Sequence, residues 1–302
     1  MPDAGHTETF VRTRLAPTPS GYLHVGNILS FALTAALARR SGARIFLRID
    51  DLDRERVRKE YVQDIFDTLS FLGIPWDEGP KDPGEFERTY AQRHRFQLYR
   101  SALDDLRANG LVFACTCSRA ELIPSAGGLV YPGTCRHRGL DLDTPGASWR
   151  LRTDPQKTVT VQTLSGTVTE LLPPSMQDFI VRKKDGWPSY QLASVIDDLH
   201  YGTDLIVRGA DLWPSTLAQH CLAEALPRPD FSRIHFYHHP LLTGIDGLKL
   251  SKSAGDTSIH RLRLQGHSPE HIYKRIARHA GLPTPISNWQ ELASALMYKL
   301  CI

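Results

Sequence analysis

Apolar positions recur along the chain with a period that changes from segment to segment, and the changes mark the elements. Residues 10–16 form a short run that Pro17 and Pro19 cut off, which predicts a strand. Val25, Ile28, Leu29, Ala32, Ala36 and Leu37 then fall at helical spacing, so a helix is predicted over 25–40, ended by Gly42. A second strand over 43–49 follows at once, and strand, helix and strand make a βαβ unit with a right-handed crossover. Tyr61, Ile65, Phe66, Leu69 and Leu72 give a helix over 60–72 its apolar face, closed by Gly73 and Pro75. A longer helix is predicted over 85–109, stopping at Gly110.

From 111 to 182 the texture changes. Pro and Gly breaks, a cysteine cluster and alternating runs such as Thr158-Val159-Thr160-Val161 predict short antiparallel strands. The α/β texture resumes at 190–198, with a strand at 205–208, a helix at 215–225 and a strand at 234–237. Beyond Ser253 only helices are predicted, over 269–280 and 289–300. The expected fold class is α/β: a doubly wound, Rossmann-type parallel sheet split by an insertion, with a short helical C-terminal segment. The expected divisions are 10–75 for the first half of the Rossmann domain, 76–185 for the insertion, 186–258 for the second half and 259–302 for the C-terminal segment.

Composition narrows the class of protein. A length of 302 residues suits about two domains, and 41% apolar with 23% charged residues argues against disordered, collagenous and disulfide-scaffold chains. No run is long and apolar enough for a membrane span, and residues 1–8 lack the layout of a signal peptide, so a cytoplasmic protein without membrane contact is expected. Lys and Arg number 36 against 33 Asp and Glu, a net charge of +3, so a polyanionic partner must be held by a local basic face. Three of the five cysteines, Cys115, Cys117 and Cys135, share one stretch, which suggests a metal before a disulfide.

Four groups of residues carry candidate chemistry. The run from Pro17 to Asn27 sits where the first strand of a doubly wound sheet turns into its helix, the place where such folds bind nucleotides. Helix-start N–H groups favour phosphate, His24 can donate to phosphate oxygens, and Gly26 would let a flat base lie on bare backbone. The loop Lys249-Leu250-Ser251-Lys252-Ser253 offers two lysines and two hydroxyls to a departing pyrophosphate. Arg14 and Arg208 are candidate forks for carboxylates, and Asp50 is the candidate acid for an ammonium group, with Asp198 as the alternative. Cys115, Cys117 and Cys135 supply three thiolates of a tetrahedral zinc site, with Tyr131 or His137 as the fourth ligand. Taken singly, each has an ordinary reading: a turn, a solvated basic loop, a structural ion pair, three reduced thiols.

Together, in this order, they resemble the class I aminoacyl-tRNA synthetases, whose HIGH and KMSKS signatures match His24-Val25-Gly26-Asn27 and Lys249-Leu250-Ser251-Lys252-Ser253, with Asn27 departing from the final His. The runs 14–19 and 48–56, Tyr190-Gln191-Leu192-Ala193 and Val207-Arg208-Gly209-Ala210-Asp211 look like the glutamyl branch. Cys-x-Cys followed by Tyr131 and Cys135 is similar to the small glutamyl-Q tRNA(Asp) synthetases, in which such residues hold zinc. The 49 residues after Ser253 are too few for anticodon-binding domains, another feature of that subgroup.

The resemblance implies ATP-dependent activation of L-glutamate and its transfer to queuosine in the anticodon stem-loop of tRNA(Asp), by a monomer. It implies His24 and Lys252 as catalytic groups, with His24, Gly26, Asn27, Lys249, Ser251 and Lys252 around ATP. Arg14, Ala16, Thr18, Asp50, Tyr190 and Arg208 would hold glutamate. One structural Zn²⁺ would sit on Cys115, Cys117, Tyr131 and Cys135, and Mg²⁺ would accompany ATP. The competing readings are a truncated glutamate–tRNA ligase charging a tRNA end, a small-molecule ligase or nucleotidyltransferase, and a catalytically silent RNA-binding paralogue.

Overall fold

The computed structural model describes residues 9–125, 128–241, 258–283 and 285–302. Along the chain run β1 (Arg12–Leu15), α1 (Val25–Ser41), β2 (Arg44–Leu47), α2 (Lys59–Leu72), the single helical turn α3 (Pro83–Glu85), α4 (Phe96–Ala108) and β3 (Val112–Cys115). Next come β4 (Ile123–Ser125), β5 (Gly128–Val130), β6 (Ser148–Leu151), β7 (Thr158–Thr163), β8 (Gly166–Leu171) and β9 (Ile180–Arg182). The last part holds α5 (Tyr190–His200), β10 (Leu205–Gly209), α6 (Trp213–Ala225), β11 (His235–His239), α7 (Ile259–Leu264), α8 (Pro269–His279) and α9 (Trp289–Leu300). These elements gather into two compact units, one of residues up to Gln92 with Asp204–Ala210 and His238–Ile302, the other of Arg93–Thr203 with Asp211–Tyr237.

In the first unit β1 lies between β2 and β10, parallel to both, with Thr13 opposite Ile45 on one side and Leu205 on the other. The three strands are buried along most of their length, as parallel strands covered on both faces must be. Helix α1 is apolar nearly all round because it packs against β1 and β10 and also against α8 and α9. Gly42 ends it at φ 78° and Gly73 ends α2 at φ 65°, both in the left-handed conformation that glycine adopts without strain. Glu78 clasps the paired strands by accepting from Arg12 Nε at 2.6 Å on β1 and from Arg44 at 2.9 Å on β2.

Two local expectations fail in this unit. The predicted helix over 85–109 is broken into the turn α3, a π turn at Phe86–Tyr90 and a 3-10 turn at Gln92–Arg95 before α4 begins. The break has a long-range cause: Gln92 donates its backbone N–H to Asp51 at 2.7 Å, and its side-chain oxygen accepts from the Leu52 N–H at 3.0 Å. Tyr61, expected on the buried face of α2, is half-buried; Val62 takes its place in the core, and the Tyr61 ring meets Tyr22 edge-on at 4.9 Å.

The second unit holds the antiparallel sheet β3-β6-β9 and the hairpin β7-β8. Antiparallel pairing was expected of this stretch, but β7 also runs parallel to β11, with His235 opposite Gln162. Its helical layer is tied by buried charge: Arg95 grips Asp197 of α5 at 2.7 Å, and Tyr99 of α4 donates to the same carboxylate at 2.6 Å. The protein is therefore of the α/β class, with parallel and antiparallel pairing both present. Among the described residues no helix is long and apolar enough to cross a membrane.

Candidate functional site

Burial of charge marks the first unit's site. Arg14 on β1 and Arg208 on β10 are both 5% exposed, Arg14 next to the buried Leu15 and Arg208 at the end of the apolar run Leu205, Ile206 and Val207. The register pairs Thr13 with Leu205, so Arg14 lies beside Ile206 and, by the two-residue alternation of strands, on the same face as Arg208. Both belong to the C-terminal half of parallel strands, the end at which open α/β sheets bind ligands. Arg48 and Asp50 follow β2 at the same end, and both are buried. They form a bidentate pair, Nε to Oδ1 at 2.8 Å and Nη2 to Oδ2 at 3.2 Å. Asp50 is thus already turned onto a guanidinium of this chain, and an ammonium group would have to share it. Arg208 donates from Nε toward His238 Nε2 at 3.4 Å.

The turn from β1 into α1 is built around His24. Its backbone is extended (φ −124°, ψ 170°), and it caps α1, with Nδ1 accepting from the Gly26 N–H at 3.1 Å. Asn27 returns the contact, its Oδ1 accepting from the His24 N–H at 3.0 Å. This reciprocal box satisfies two donors at the helix start. With Nδ1 accepting, the neutral ring carries its proton on Nε2, so the imidazole offers a donor beside the positive end of a 17-residue helix. Gly26 has a reason of its own: a Cβ there would stand 3.0 Å from His24 Cε1 and 3.1 Å from Nδ1. Ala16 is half-buried and Thr18 exposed in the same turn.

The second signature, Lys249, Ser251 and Lys252 included, lies outside the described residues. The described chain on either side of it meets α1. His239, 3% exposed, holds Ser30 Oγ through Nε2 at 2.6 Å. Ser258 forms a β-bridge with His24, and the Ile259 N–H donates to the Leu23 carbonyl at 2.8 Å. Tyr190, the first residue of α5, is 43% exposed and belongs to the second unit, as does the buried Asp198.

A separate constellation occupies the second unit. The sulfurs of Cys115, Cys117 and Cys135 lie within 4.8 Å of one another, all buried. Cys117 and Cys135 are 3.6 Å apart, and the Tyr131 hydroxyl is 3.6 Å from Cys115 Sγ. A tetrahedral zinc ion with bonds of about 2.3 Å to sulfur and about 2.0 Å to oxygen spaces its ligands about 3.5 to 3.8 Å apart, which suits this set. His137, the rival fourth ligand, is exposed and outside the cluster. Burial pushes the Cys117 thiol up to about 12, reinforced by its hydrogen bonds to Cys135 and Cys115. Burial acts the same way on Cys135, but hydrogen bonds from the Thr116 backbone and from Cys117, Cys115 and Tyr131 outweigh it and hold that thiol at about 6. The Arg150 guanidinium lies 3.7 Å from the centre of the Tyr131 ring.

Residues 10–126 and 141–293 match the family of tRNA synthetases class I (E and Q), catalytic domain. The chain belongs to this family. It is a class I synthetase, of the ligase type that forms an aminoacyl-adenylate. It is 39% identical over 292 residues to a Glutamyl-Q tRNA(Asp) synthetase of Symbiobacterium thermophilum, with 90% of this chain and 88% of that protein covered. It is 34% identical to a Glutamate--tRNA ligase 2 of Syntrophus aciditrophicus, covering 88% of this chain but 56% of that one. The crystal structure of a glutamate-tRNA synthetase from Elizabethkingia anophelis shares the fold, with a TM-score of 0.72 at 22% identity; 94% of this chain is covered, and it spans 65% of that chain.

The structure of this synthetase adds residues to which sequence reasoning gave no role. Arg48 pairs with Asp50, and its place two residues before the acid was the available signal. His238 and His239 flank the lysine-bearing segment, a doublet that could have been noticed. Tyr22 stacks on His260 at 4.0 Å, and His260 is held by the buried Asp64 at 3.1 Å. Burial raises the Asp64 carboxyl above its usual range, and Arg263 and His260 pull against that shift. Nothing local in the sequence announces a contact across 196 residues.

Proposed function

We propose that this synthetase activates L-glutamate with ATP and transfers it to queuosine in the anticodon stem-loop of tRNA(Asp). The observation that carries the choice of amino acid is the pair of buried arginines, Arg14 and Arg208, on one face at the C-terminal ends of adjacent parallel strands. Two guanidinium forks on one face match the geometry of the two carboxylates of glutamate, each of which such a fork can hold in bidentate fashion. The acceptor is supported by the printed names of relatives at 36 to 40% identity.

In this reading glutamate lies against Arg14 and Arg208, with Ala16 and Thr18 in the turn beside them and Asp50 sharing its carboxylate between Arg48 and the ammonium. An oxygen of the substrate's α-carboxylate attacks the α-phosphorus of ATP, and pyrophosphate leaves. His24, as its Nε2–H tautomer, donates to the phosphate oxygens, and Gly26 and Asn27 hold that geometry. Lys249, Ser251 and Lys252 would follow the charge onto the leaving group, and Mg²⁺ would accompany the nucleotide. A hydroxyl of the RNA then attacks the acyl carbon and AMP leaves. No protein nucleophile is required, so positioning and charge stabilisation carry the rate. Cys115, Cys117, Tyr131 and Cys135 would hold one structural zinc ion, closed to substrate, within an acceptor-binding insertion.

ATP–pyrophosphate exchange measured across amino acids tests the activation step, and glutamate is expected to give the highest rate. A neutral or basic amino acid ranking first would overturn the pocket. Transfer is tested with an isolated queuosine hairpin, which should accept glutamate nearly as well as tRNA(Asp). Charging of an unmodified tRNA at its terminal ribose would instead favour the glutamate–tRNA ligase reading.

A further inference from the structure

The chain that resumes at Ser258 runs antiparallel to the turn that leads into α1. Ser258 is bridged to His24, the Ile259 N–H donates to the Leu23 carbonyl at 2.8 Å, and the His260 ring lies on the Tyr22 ring. Each step back from His24 thus meets the next step on from Ser258. The third pair is held by its side chains: the ring centres are 4.0 Å apart and the planes 5° from parallel. Tyr61 of α2 meets the Tyr22 ring edge-on at 4.9 Å.

A buried acid grips the same imidazole. Asp64 of α2 is 2% exposed, and its Oδ1 accepts from His260 Nδ1 at 3.1 Å. Its Oδ2 accepts from the Thr68 hydroxyl at 3.3 Å, and Arg263 Nη1 lies 3.5 Å from Oδ1. A carboxylate out of water is tolerated only where donors meet it. Thr68 is a donor from α2 itself; His260 and Arg263 both come from α7. With Asp64 accepting, His260 carries a proton on Nδ1. Apolar packing would also have joined α7 to α2. A stacked ring bonded to a buried carboxylate does more: it fixes the plane and height of His260, and with them the backbone from Tyr22 to His24.

We infer that His260 is a positioning residue for adenylate formation: gripped by Asp64 and stacked on Tyr22, it sets where the His24 imidazole stands. The inference rests on the proposed role of His24 at the phosphates of ATP; the stack and the carboxylate contact do not depend on that reading. Tyr22 is two residues from His24, and Leu23 between them is tied to Ile259. Loss of the grip would displace His24 without removing a group that touches glutamate or ATP. Displacing a group that acts on developing charge slows the chemical step and leaves substrate affinity nearly unchanged.

The test compares His260→Ala, which removes ring and donor, with His260→Phe, which keeps a ring to stack on Tyr22. The control is Tyr273→Phe, which deletes a different buried tie to α2, the hydrogen bond to the Leu72 carbonyl about two turns along from Asp64. ATP–pyrophosphate exchange is measured with the amino acid that the unaltered protein activates fastest, alongside thermal unfolding and the NMR signals of the His24 ring, assigned with His24→Gln. His260→Ala should lower kcat about tenfold with both KM values within about twofold, and His260→Phe should lower it only about threefold. Tyr273→Phe should lower the unfolding temperature while kcat holds. The His24 signals should move in His260→Ala and stay in Tyr273→Phe. Unchanged kcat in His260→Ala, a rise in KM alone, an equal fall of kcat in Tyr273→Phe, or unmoved His24 signals would overturn the inference. If the unaltered protein activates an amino acid other than glutamate, the proposed substrate fails and the comparison runs unchanged with that amino acid. If it gives no exchange at all while the His24 signals still move only in the His260 variants, the proposed function fails and the positioning contact stands.

Discussion

Position 26 shows how one residue serves a neighbour before it serves a ligand. Sequence reasoning gave Gly26 the task of leaving room for a base; the structure adds that it leaves room for the His24 ring, which a Cβ would meet at 3.0 Å. Gly26→Ala should therefore separate stability from activity. Alanine is favoured over glycine inside a helix by about 1 kcal/mol and loss of the His24 cap costs about as much, so thermal unfolding should stay level. The imidazole would have to swing away from its cap, and adenylate formation should slow about tenfold, because displacement of a positioning group by a fraction of an ångström carries such costs. Exchange at the unaltered rate would show that the ring keeps its place by another route. Asn27 illustrates the same lesson: a departure from the final His of the first signature, it closes the capping box on the His24 backbone.

Glu78 joins two strands that local pattern alone would only place side by side. Hydrogen bonds from Arg12 hold its carboxyl below the usual glutamate range; burial opposes them, and Arg44 adds to the lowering. A folded-state value below the unfolded one means that the contribution is present above the unfolded value, about 4.3, and is lost as pH falls through the folded value. Glu78→Gln should thus cost about 1 kcal/mol in urea unfolding at pH 7, as expected for a partly exposed charge-assisted pair, and progressively less as pH falls below the unfolded value toward pH 3. An equal deficit at both pH values would mean that shape, not charge, makes the clasp. The broken helix at 85–95 belongs to this scale too. Its residues have adequate helical preference, but Asp51 and Leu52 compete for the groups of Gln92. Local propensity yields to such tertiary competition.

At the scale of the molecule, the second unit gathers three cysteines from the end of β3 and the turns after it, and Ser148 ties this corner to β6 by donating to the Cys115 carbonyl at 3.1 Å. Zinc should co-purify at about one per chain, and Cys117→Ser should release it, since a structural ion contributes directly to folding. Amide exchange should then rise in β3 and β6 while α1 stays protected. Metal analysis finding none in protein prepared without chelator would leave three buried thiols. The sequence by itself determined the βαβ start, the turn that carries His24, the cysteine cluster and the last two helices, because periodicity, punctuation and short motifs are local. It could not place β7 beside β11, with His235 opposite Gln162, nor turn Asp50 onto Arg48, nor stack Tyr22 on His260 above Asp64. Strand pairing and buried charge are decided by which segments meet once the core closes. A side chain bonds to whatever the fold brings within about 3 Å, and that neighbour leaves no mark in the residues beside it.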